Sequence, residues 1–296
     1  MKALQNISAS VRQRLLNRSK EENRSFNELL QYYSMERFLY RLSLSSHVQQ
    51  YILKGALMLR AWKTPEARPT MDIDMLAKTG NDEANIISQI RDIIAVEVES
   101  DGLIFDADSI QTERITEDAD YKGIRVRFHG FLGTARINMQ IDIGFGDIVY
   151  PEPEKADLPC MLDFPAPSLF CYSRESAIAE KFEAMLKLGH LNSRMKDFYD
   201  IWLLSRQFRF ELHNLAEAVR LTCKQRGTEI NQSIEAFSSD FISTHQNMWA
   251  AFCKRLKQED IPLSFEKIAT EIEMFLDPVI KGISENMVWE PAGKWR

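Results

Sequence analysis

Cysteine and long apolar runs are scarce in this sequence, and both shortages narrow the class of protein. The four cysteines form neither a CxxC motif nor a zinc-binding spacing, which is typical of reduced thiols in a cytoplasm. No stretch of about 18 apolar residues occurs, so no transmembrane helix is predicted, and the first residues lack the apolar core of a signal peptide. We therefore expect a cytoplasmic protein without a membrane partner.

The length of the chain bounds the number of domains, and the distribution of charge bears on the binding partners. A chain of 296 residues that is 45% hydrophobic can bury a full core, in one large or two medium domains. The net charge is −6, yet the first 60 residues carry ten lysines or arginines against four glutamates. That basic segment is either a local footprint for nucleic acid or the solvated face of an amphipathic helix with Val11 and Leu15 on its apolar side.

Hydrophobic periodicity predicts an α/β protein whose C-terminal part is helical. Ser25, with Glu28 three residues later, has the spacing of a capping box at a helix start. Prolines between residues 151 and 167 mark a boundary, which gives a first domain at 1–165 and a mostly helical second domain at 166–296. The predicted helices are 8–20, 26–43, 56–62 and 82–96, and the predicted strands are 51–53, 103–106, 110–116, 122–129, 134–143 and one that carries Asp72 and Asp74.

Asp72 and Asp74 form the first candidate site. Alternate residues of a strand project to the same face, so the two carboxylates would lie together while Met71, Ile73 and Met75 enter the core. Adjacent carboxylates repel each other, and a cation relieves that repulsion. Hard oxygen ligands of this kind suit Mg²⁺, which binds one or two carboxylates and leaves positions for water and phosphate.

Asp142 is the expected third carboxylate. Residues 137–143 alternate without a break between apolar and polar side chains, which is the pattern of a strand with one buried face. A pair of aspartates on one strand and a single aspartate on a neighbouring strand can hold two metal ions for nucleotide chemistry. The alternative is that Asp142 occupies the solvated face of an edge strand.

The predicted helix at 174–188 and the segment after it carry further candidates. Lys181 lies at the edge of an apolar stripe, so its ammonium either reaches a pocket that binds phosphate or extends to water. Asp197 and Asp200 lie one turn apart on one side of the next helix. They are a functional pair, a solvated face or ion-pair partners of Arg194.

Five segments follow one another in a fixed order: residues 53–57, 68–74, 141–147, 179–184 and 192–200. Together they resemble the AbiEii/AbiGii toxin family of nucleotidyltransferases, which includes the MenT proteins and belongs to the DNA-polymerase-β-like nucleotidyltransferase superfamily. The family comprises toxins of abortive-infection and toxin–antitoxin systems, which serve in phage defence. In the wider superfamily the first motif is commonly Gly-Ser, and Ala56 replaces that serine here.

The resemblance implies an α/β (α+β) fold, in which a polymerase-β-like nucleotidyltransferase domain with a mixed sheet precedes a helical C-terminal domain and the active site lies in the cleft between them. It implies that Asp72 and Asp74 bind Mg²⁺, with Mn²⁺ as an alternative, and that Asp142 is a further ligand or a base. Lys181 matches the essential lysine of the family, and either Asp197 or Asp200 matches its late aspartate. The nucleotide-binding residues implied by the likeness are Lys54, Gly55, Ala56, Arg68, Thr70, Lys181 and Arg194.

The function implied is that of a Mg²⁺-dependent nucleotidyltransferase toxin. A 3′-hydroxyl of RNA, at the acceptor end of tRNA in several known members, would attack the α-phosphate of an NTP, and the modified tRNA would no longer support translation. The partners implied are the NTP, the RNA and an antitoxin encoded upstream. A metal-dependent nuclease is the rival enzyme, because carboxylate clusters serve both reactions. The alternative that is not an enzyme is a non-catalytic module that binds a nucleotide or RNA.

Overall fold

The computed structural model describes residues 2–64, 68–117, 121–230, 233–256, 260–283, 286–291 and 293–296. The chain forms two units. The first contains Met1–Lys63, Ala67–Gly146 and Glu154–Cys171, and the second contains Thr64–Glu66, Asp147–Pro153 and Tyr172–Arg296. Each unit has its own buried core and is described by itself below.

The first unit is organised around one mixed β-sheet. Its strands are β1 (Tyr51–Lys54), β2 (Ile73–Ala77), β3 (Leu103–Glu117), β4 (Tyr121–Leu132), β5 (Ala135–Phe145), β6 (Glu154–Asp157) and β7 (Ser168–Cys171). Their order across the sheet is β3-β4-β5-β2-β1-β7-β6. β2 is parallel to β5 and antiparallel to β1, while β3, β4 and β5 form an antiparallel meander. The predicted strands 103–106 and 110–116 are one strand, interrupted by an irregularity in register between Asp106 and Gln111.

Helices cover one face of this sheet. They are α1 (Lys2–Glu21), α2 (Phe26–Leu44), the short α3 (Leu57–Ala61) and α4 (Glu83–Ile94). Phe38 of α2 is fully buried and packs against Phe128 of β4 and Phe105 of β3, with ring centroids 5.7 and 6.2 Å apart. Burying a phenylalanine side chain of this kind contributes roughly 1.5–3 kcal/mol, so α2 is a principal part of the core.

The two faces of the sheet differ sharply in chemistry. Ile73 and Met75 of β2, like Ile141 and Ile143 of β5, are buried in the core. The alternate residue on each strand, Asp74 or Asp142, projects to the opposite face. The mixed sheet with helices on one face confirms the predicted α/β fold class, and its second face is left for polar side chains.

Two local details differ from the prediction. Met71 is 53% exposed, because it precedes the start of β2 at Ile73. Side chains outside the strand do not have to alternate between the two faces of the sheet. Ser25 does precede α2, but its side chain makes no capping hydrogen bond. The carboxylate of Glu28 instead binds Arg24 at 2.6 Å, so the capping box expected from the spacing does not form.

The basic N-terminal segment is largely engaged within the first unit. The guanidinium of Arg14 lies 2.9 Å from the carboxylate of Asp163. Arg18 binds both the carboxylate of Glu22 and the backbone carbonyl of Met161. The positive charge of α1 is therefore partly neutralised by the protein itself, which weakens the interpretation of this segment as a footprint for nucleic acid.

The second unit is mostly helical, as predicted. Its elements are α5 (Arg174–Leu188), α6 (Met195–Gln207), β8 (Phe210–Glu211), α7 (Leu212–Arg226), α8 (Ser239–Leu256), α9 (Phe265–Ile280) and β9 (Val288–Trp289). Phe198 of α6 packs against Phe265 of α9 with ring centroids 5.1 Å apart. None of the helices in the described part of the chain is both long enough and apolar enough to cross a lipid bilayer.

A half-buried arginine joins several elements of the second unit. Arg226, at the end of α7, lies 2.9 Å from Asp147, 3.3 Å from Glu180 and 2.9 Å from Glu183. Burial alone would lower the pKa of Arg226, but these carboxylates raise it above the ordinary value. The cluster fixes α5, α7 and the segment at 147–153 to one another.

Candidate active site

A row of four charged side chains crosses the open face of the sheet. The strand register aligns Lys54 of β1 with Asp74 of β2, Asp74 with Asp142 of β5, and Asp142 with Arg125 of β4. Directly opposed residues of neighbouring strands project to the same face. Two adjacent carboxylates are therefore flanked by one cationic side chain on each side.

Asp72 joins the two central carboxylates of this row. Asp72, Asp74 and Asp142 are all half-buried, and each offers a carboxylate oxygen within 4.8 Å of those of the other two. Three negative charges at this spacing repel one another. The same geometry suits a hard cation that takes oxygen ligands. The residues singled out by strand alternation thus lie together, although their role as metal ligands remains a prediction.

Asp72 lies just outside β2 and is held by a threonine instead of by a strand. The hydroxyl of Thr70 donates to Asp72 Oδ1 at 2.5 Å. The backbone amide of Thr70 donates in turn to the hydroxyl of Tyr32 at 2.9 Å. Thr70, which the resemblance assigns to phosphate binding, therefore orients a carboxylate of the cluster in this structure.

Arg125 binds Asp142 through two nitrogens along one edge of its guanidinium. Its Nε donates to Oδ1 at 2.8 Å, and its Nη2 donates to Oδ2 at 2.7 Å. This bidentate hydrogen bonding is the main reason that the pKa of Arg125 is raised. The alternation of Arg125 with Ile124 and Val126 could have placed it on the polar face, but sequence alone does not reveal which strand lies beside β4.

Gly55 is required by the position of Asp74. Its φ of +72° is a left-handed conformation that residues with a Cβ rarely adopt. A Cβ on Gly55 would also lie 1.9 Å from Asp74 Oδ2. The carboxylate of Asp74 thus occupies the space that a side chain at residue 55 would need. The next residue, Ala56, is buried and lies directly before α3.

We expect Gly55→Ala to destabilise the first unit and to displace the Asp74 carboxylate. The left-handed backbone alone costs about 1–2 kcal/mol for an alanine, and the overlap with Asp74 adds to this cost. Thermal unfolding would measure the total loss of stability, and titration with Mn²⁺ followed by electron paramagnetic resonance would measure the loss of cation binding.

Gly227→Ala is the matched control for this substitution. Gly227 has a similar φ of +66°, but a Cβ there would have no atom within 4 Å. The stability lost in Gly227→Ala therefore measures the cost of the left-handed backbone alone. Equal losses of stability in the two variants would show that Asp74 moves aside freely and that the close approach to Gly55 has no importance.

Lys181 forms the centre of a second cluster, in the second unit. Its Nζ lies 3.0 Å from Asp197 Oδ1 and 2.9 Å from Asp200 Oδ2. The side chain of Lys181 is only 18% exposed, and both aspartates are buried. The ammonium therefore does not extend to bulk water, and the aspartates are not a solvated helix face. Both carboxylates contact Lys181, so the two aspartates form a pair around its ammonium and neither is singled out by its position.

The two remaining nucleotide-binding candidates are half-buried arginines. Arg68 precedes Pro69 in the first unit, close in sequence to Thr70 and Asp72. Arg194 occupies the N-cap position of α6 in the second unit, and its backbone amide donates to Asn192 Oδ1 at 2.9 Å. Their contact with a nucleotide stays a prediction.

Comparison with known proteins identifies the family. The model of the nucleotidyl transferase AbiEii toxin family, of type IV toxin–antitoxin systems, matches residues 37–271. A candidate nucleotidyltransferase from H. pylori is similar in structure at 14% sequence identity, with 88% of this chain and 97% of that chain covered and a TM-score of 0.45. JHP933 from Helicobacter pylori is similar at 14% identity, with 88% and 94% covered and a TM-score of 0.44. A search of the curated proteins finds no match.

Proposed function

The chain belongs to the AbiEii nucleotidyl transferase toxin family, and from this membership we propose that it transfers a nucleoside monophosphate from an NTP to RNA in a Mg²⁺-dependent reaction. We propose the 3′ end of tRNA as the acceptor, so that the modification blocks translation. The observation that carries the proposal is the convergence of Asp72, Asp74 and Asp142 between the cationic side chains of Lys54 and Arg125.

The three carboxylates fit a divalent cation by the chemistry of their donor atoms. Carboxylate oxygens are the ligands that Mg²⁺ and Mn²⁺ prefer. Each carboxylate has about four lone-pair sites, so Asp72 and Asp142 keep free acceptor capacity beyond their bonds to Thr70 and Arg125. When bound, the cation would neutralise charge on the triphosphate and on its leaving group.

The chemical step is assigned to groups of this chain as follows. A 3′-hydroxyl of the acceptor forms a bond to the α-phosphorus of the NTP while the bond from that phosphorus to pyrophosphate breaks. The proton of the hydroxyl passes to a carboxylate of the cluster, for which we propose Asp142. The ammonium group of Lys54 would hold negative charge of the phosphates. Lys181 is proposed as a further nucleotide-binding residue. Asp197 and Asp200 act as positioning residues that fix the Lys181 side chain.

An antitoxin is the proposed protein partner. The family is that of toxins in type IV toxin–antitoxin systems, and we propose that a neighbouring upstream gene encodes the antitoxin. The proposed substrates, an NTP and tRNA, are both cytoplasmic. We therefore propose the cytoplasm as the site of action, with abortive infection in phage defence as the setting.

Labelled transfer to RNA tests the proposed function directly. We expect purified protein, incubated with Mg²⁺, total RNA and each α-labelled NTP in turn, to attach label to RNA of tRNA length. Chelation of Mg²⁺ should abolish the labelling because the repulsion among the three carboxylates would then be unrelieved. Shortened RNA without label would favour a nuclease, and RNA left both unlabelled and intact with every NTP would contradict enzymatic transfer.

A further inference from the structure

A groove with a mixed polar and apolar lining extends from Asp72 of the carboxylate cluster along the sheet of the first unit. It has a volume of about 650 Å³ and is lined by α2 and by residues of β3, β4 and β5, with Asp72 in its wall. Ligand pockets in proteins commonly span roughly 300–1,000 Å³, so the groove is large enough for one or two nucleotides.

The groove lies where β2 separates from β5. The two strands pair from Ile73 and Ile141 onward but not before. Gln31 of α2 bridges the gap, because its Nε2 donates to the backbone carbonyl of Met71 at 3.0 Å and to that of Asn138 at 3.1 Å. A single buried side chain thus holds this part of the sheet in place next to Asp72.

The lining of the groove is rich in groups that recognise nucleobases. Its carboxamide side chains come from Asn27, Gln31, Gln111, Asn138 and Gln140. A carboxamide both donates and accepts hydrogen bonds, which matches the edge of a base such as adenine. Arg127 and Arg136 are exposed cations in the same lining. Among the lining residues that the structure describes, Asp72 alone carries a carboxylate.

The strand order places the groove on the side of β2 from which the acceptor hydroxyl would approach. β1, with Lys54, and β5, with Asn138 and Gln140, lie on opposite sides of β2. In phosphoryl transfer the attacking and leaving oxygens are roughly in line. If the triphosphate is held on the side of Lys54, the attacking hydroxyl must approach from the side of β5, where the groove lies.

We propose that the groove binds the last nucleotides at the single-stranded 3′ end of the acceptor RNA and reads their bases through Asn138 and Gln111. This inference rests on the proposed nucleotidyl transfer and names the part of the chain that selects its acceptor. Unpaired bases present their edges to side chains, which is how proteins commonly read RNA sequence. Met71, which is exposed and lines the groove, offers one base an apolar side chain.

Asn138→Ala combined with Gln111→Ala tests the proposal. Both residues are exposed on the open face of the sheet, so their truncation removes little packed surface. We expect the KM for RNA to rise about tenfold or more, because each good contact to a base edge discriminates by a factor of this order. The KM for NTP should stay unchanged. The preference of the wild type among RNA oligonucleotides with different terminal bases should also flatten.

Asn247→Ala combined with Gln225→Ala is the matched control, since it removes one exposed carboxamide of each kind from helices of the second unit. An unchanged KM for RNA in the groove variant, or an equal rise in the control, would overturn the groove as the acceptor site while leaving the proposed function intact. Failure of the wild type to label any RNA would contradict the proposed function instead. In that case fluorescence anisotropy with a short single-stranded RNA and its DNA equivalent, without NTP, would still test the groove as an RNA-binding site. Equal affinity of the wild type and the groove variant for the RNA would overturn the proposal, and so would preferential binding of the DNA.

Discussion

Asp72→Asn is expected to reduce nucleotide transfer by roughly a thousandfold or more, a loss typical of removing a group that stabilises developing charge in a reaction. Asparagine keeps the oxygen that accepts the hydrogen bond of Thr70. It removes one of three negative charges that lie within 4.8 Å of one another. Because like charges at this distance repel, the free energy of unfolding should stay the same or rise.

The measurements are label transfer to RNA, Mn²⁺ binding by electron paramagnetic resonance, and thermal unfolding. Asp163→Asn makes the same chemical change at a fully exposed carboxylate, whose ion pair with Arg14 is worth little. It should leave transfer and cation binding unaltered. An Asp72→Asn variant that binds Mn²⁺ with wild-type affinity and transfers label at the wild-type rate would end the argument for this carboxylate cluster.

Lys181→Ala is expected to abolish transfer and, in addition, to lower the stability of the protein by about 3 kcal/mol. The second effect follows from its ion pairs, because removal of the ammonium takes from the buried carboxylates of Asp197 and Asp200 a cation that both contact. Loss of activity in this single variant would therefore not separate a contact with phosphate from simple unfolding.

A variant without charge at all three positions separates the two effects. Lys181→Met with Asp197→Asn and Asp200→Asn should recover most of the lost stability, because the two buried carboxylates that lose their lysine are replaced by neutral carboxamides. Its transfer activity should stay absent if the ammonium binds the triphosphate. Lys196→Ala, at an exposed lysine of α6, is the control and should change stability by no more than about 0.5 kcal/mol. Full activity in the triple variant would mean that Lys181 is a structural ion-pair partner only.

Sequence periodicity predicted the faces of strands better than it predicted their neighbours. The burial of Ile141 and Ile143 repeats every second residue, and that repeat alone places Asp142 on the open face. The parallel pairing of β2 with β5 depends on the path of the chain between them, which no local pattern encodes. For the same reason the bidentate bond of Arg125 to Asp142 appeared only in the structure.

The prediction was weakest where the choice of a side-chain partner decides the conformation. Ser25 has the local spacing of a capping box, but Glu28 binds Arg24 instead. Lys181 was placed at the edge of an apolar stripe, yet its pairing with both Asp197 and Asp200 depends on how α5 packs against α6. The partners of Lys181 are fixed by tertiary packing, whereas Glu28 is engaged by an arginine four residues earlier in the chain.

The pairing of Asp74 with Asp142 across β2 and β5 has a consequence for folding fidelity as well as for chemistry. A slip of β2 by one residue would turn Asp74 into the hydrophobic core and expose Ile73 and Met75. An ionised carboxylate in that environment costs several kcal/mol. The acidic residues of the candidate site therefore disfavour a misalignment of these two strands by one residue, since that slip would bury a carboxylate in the core.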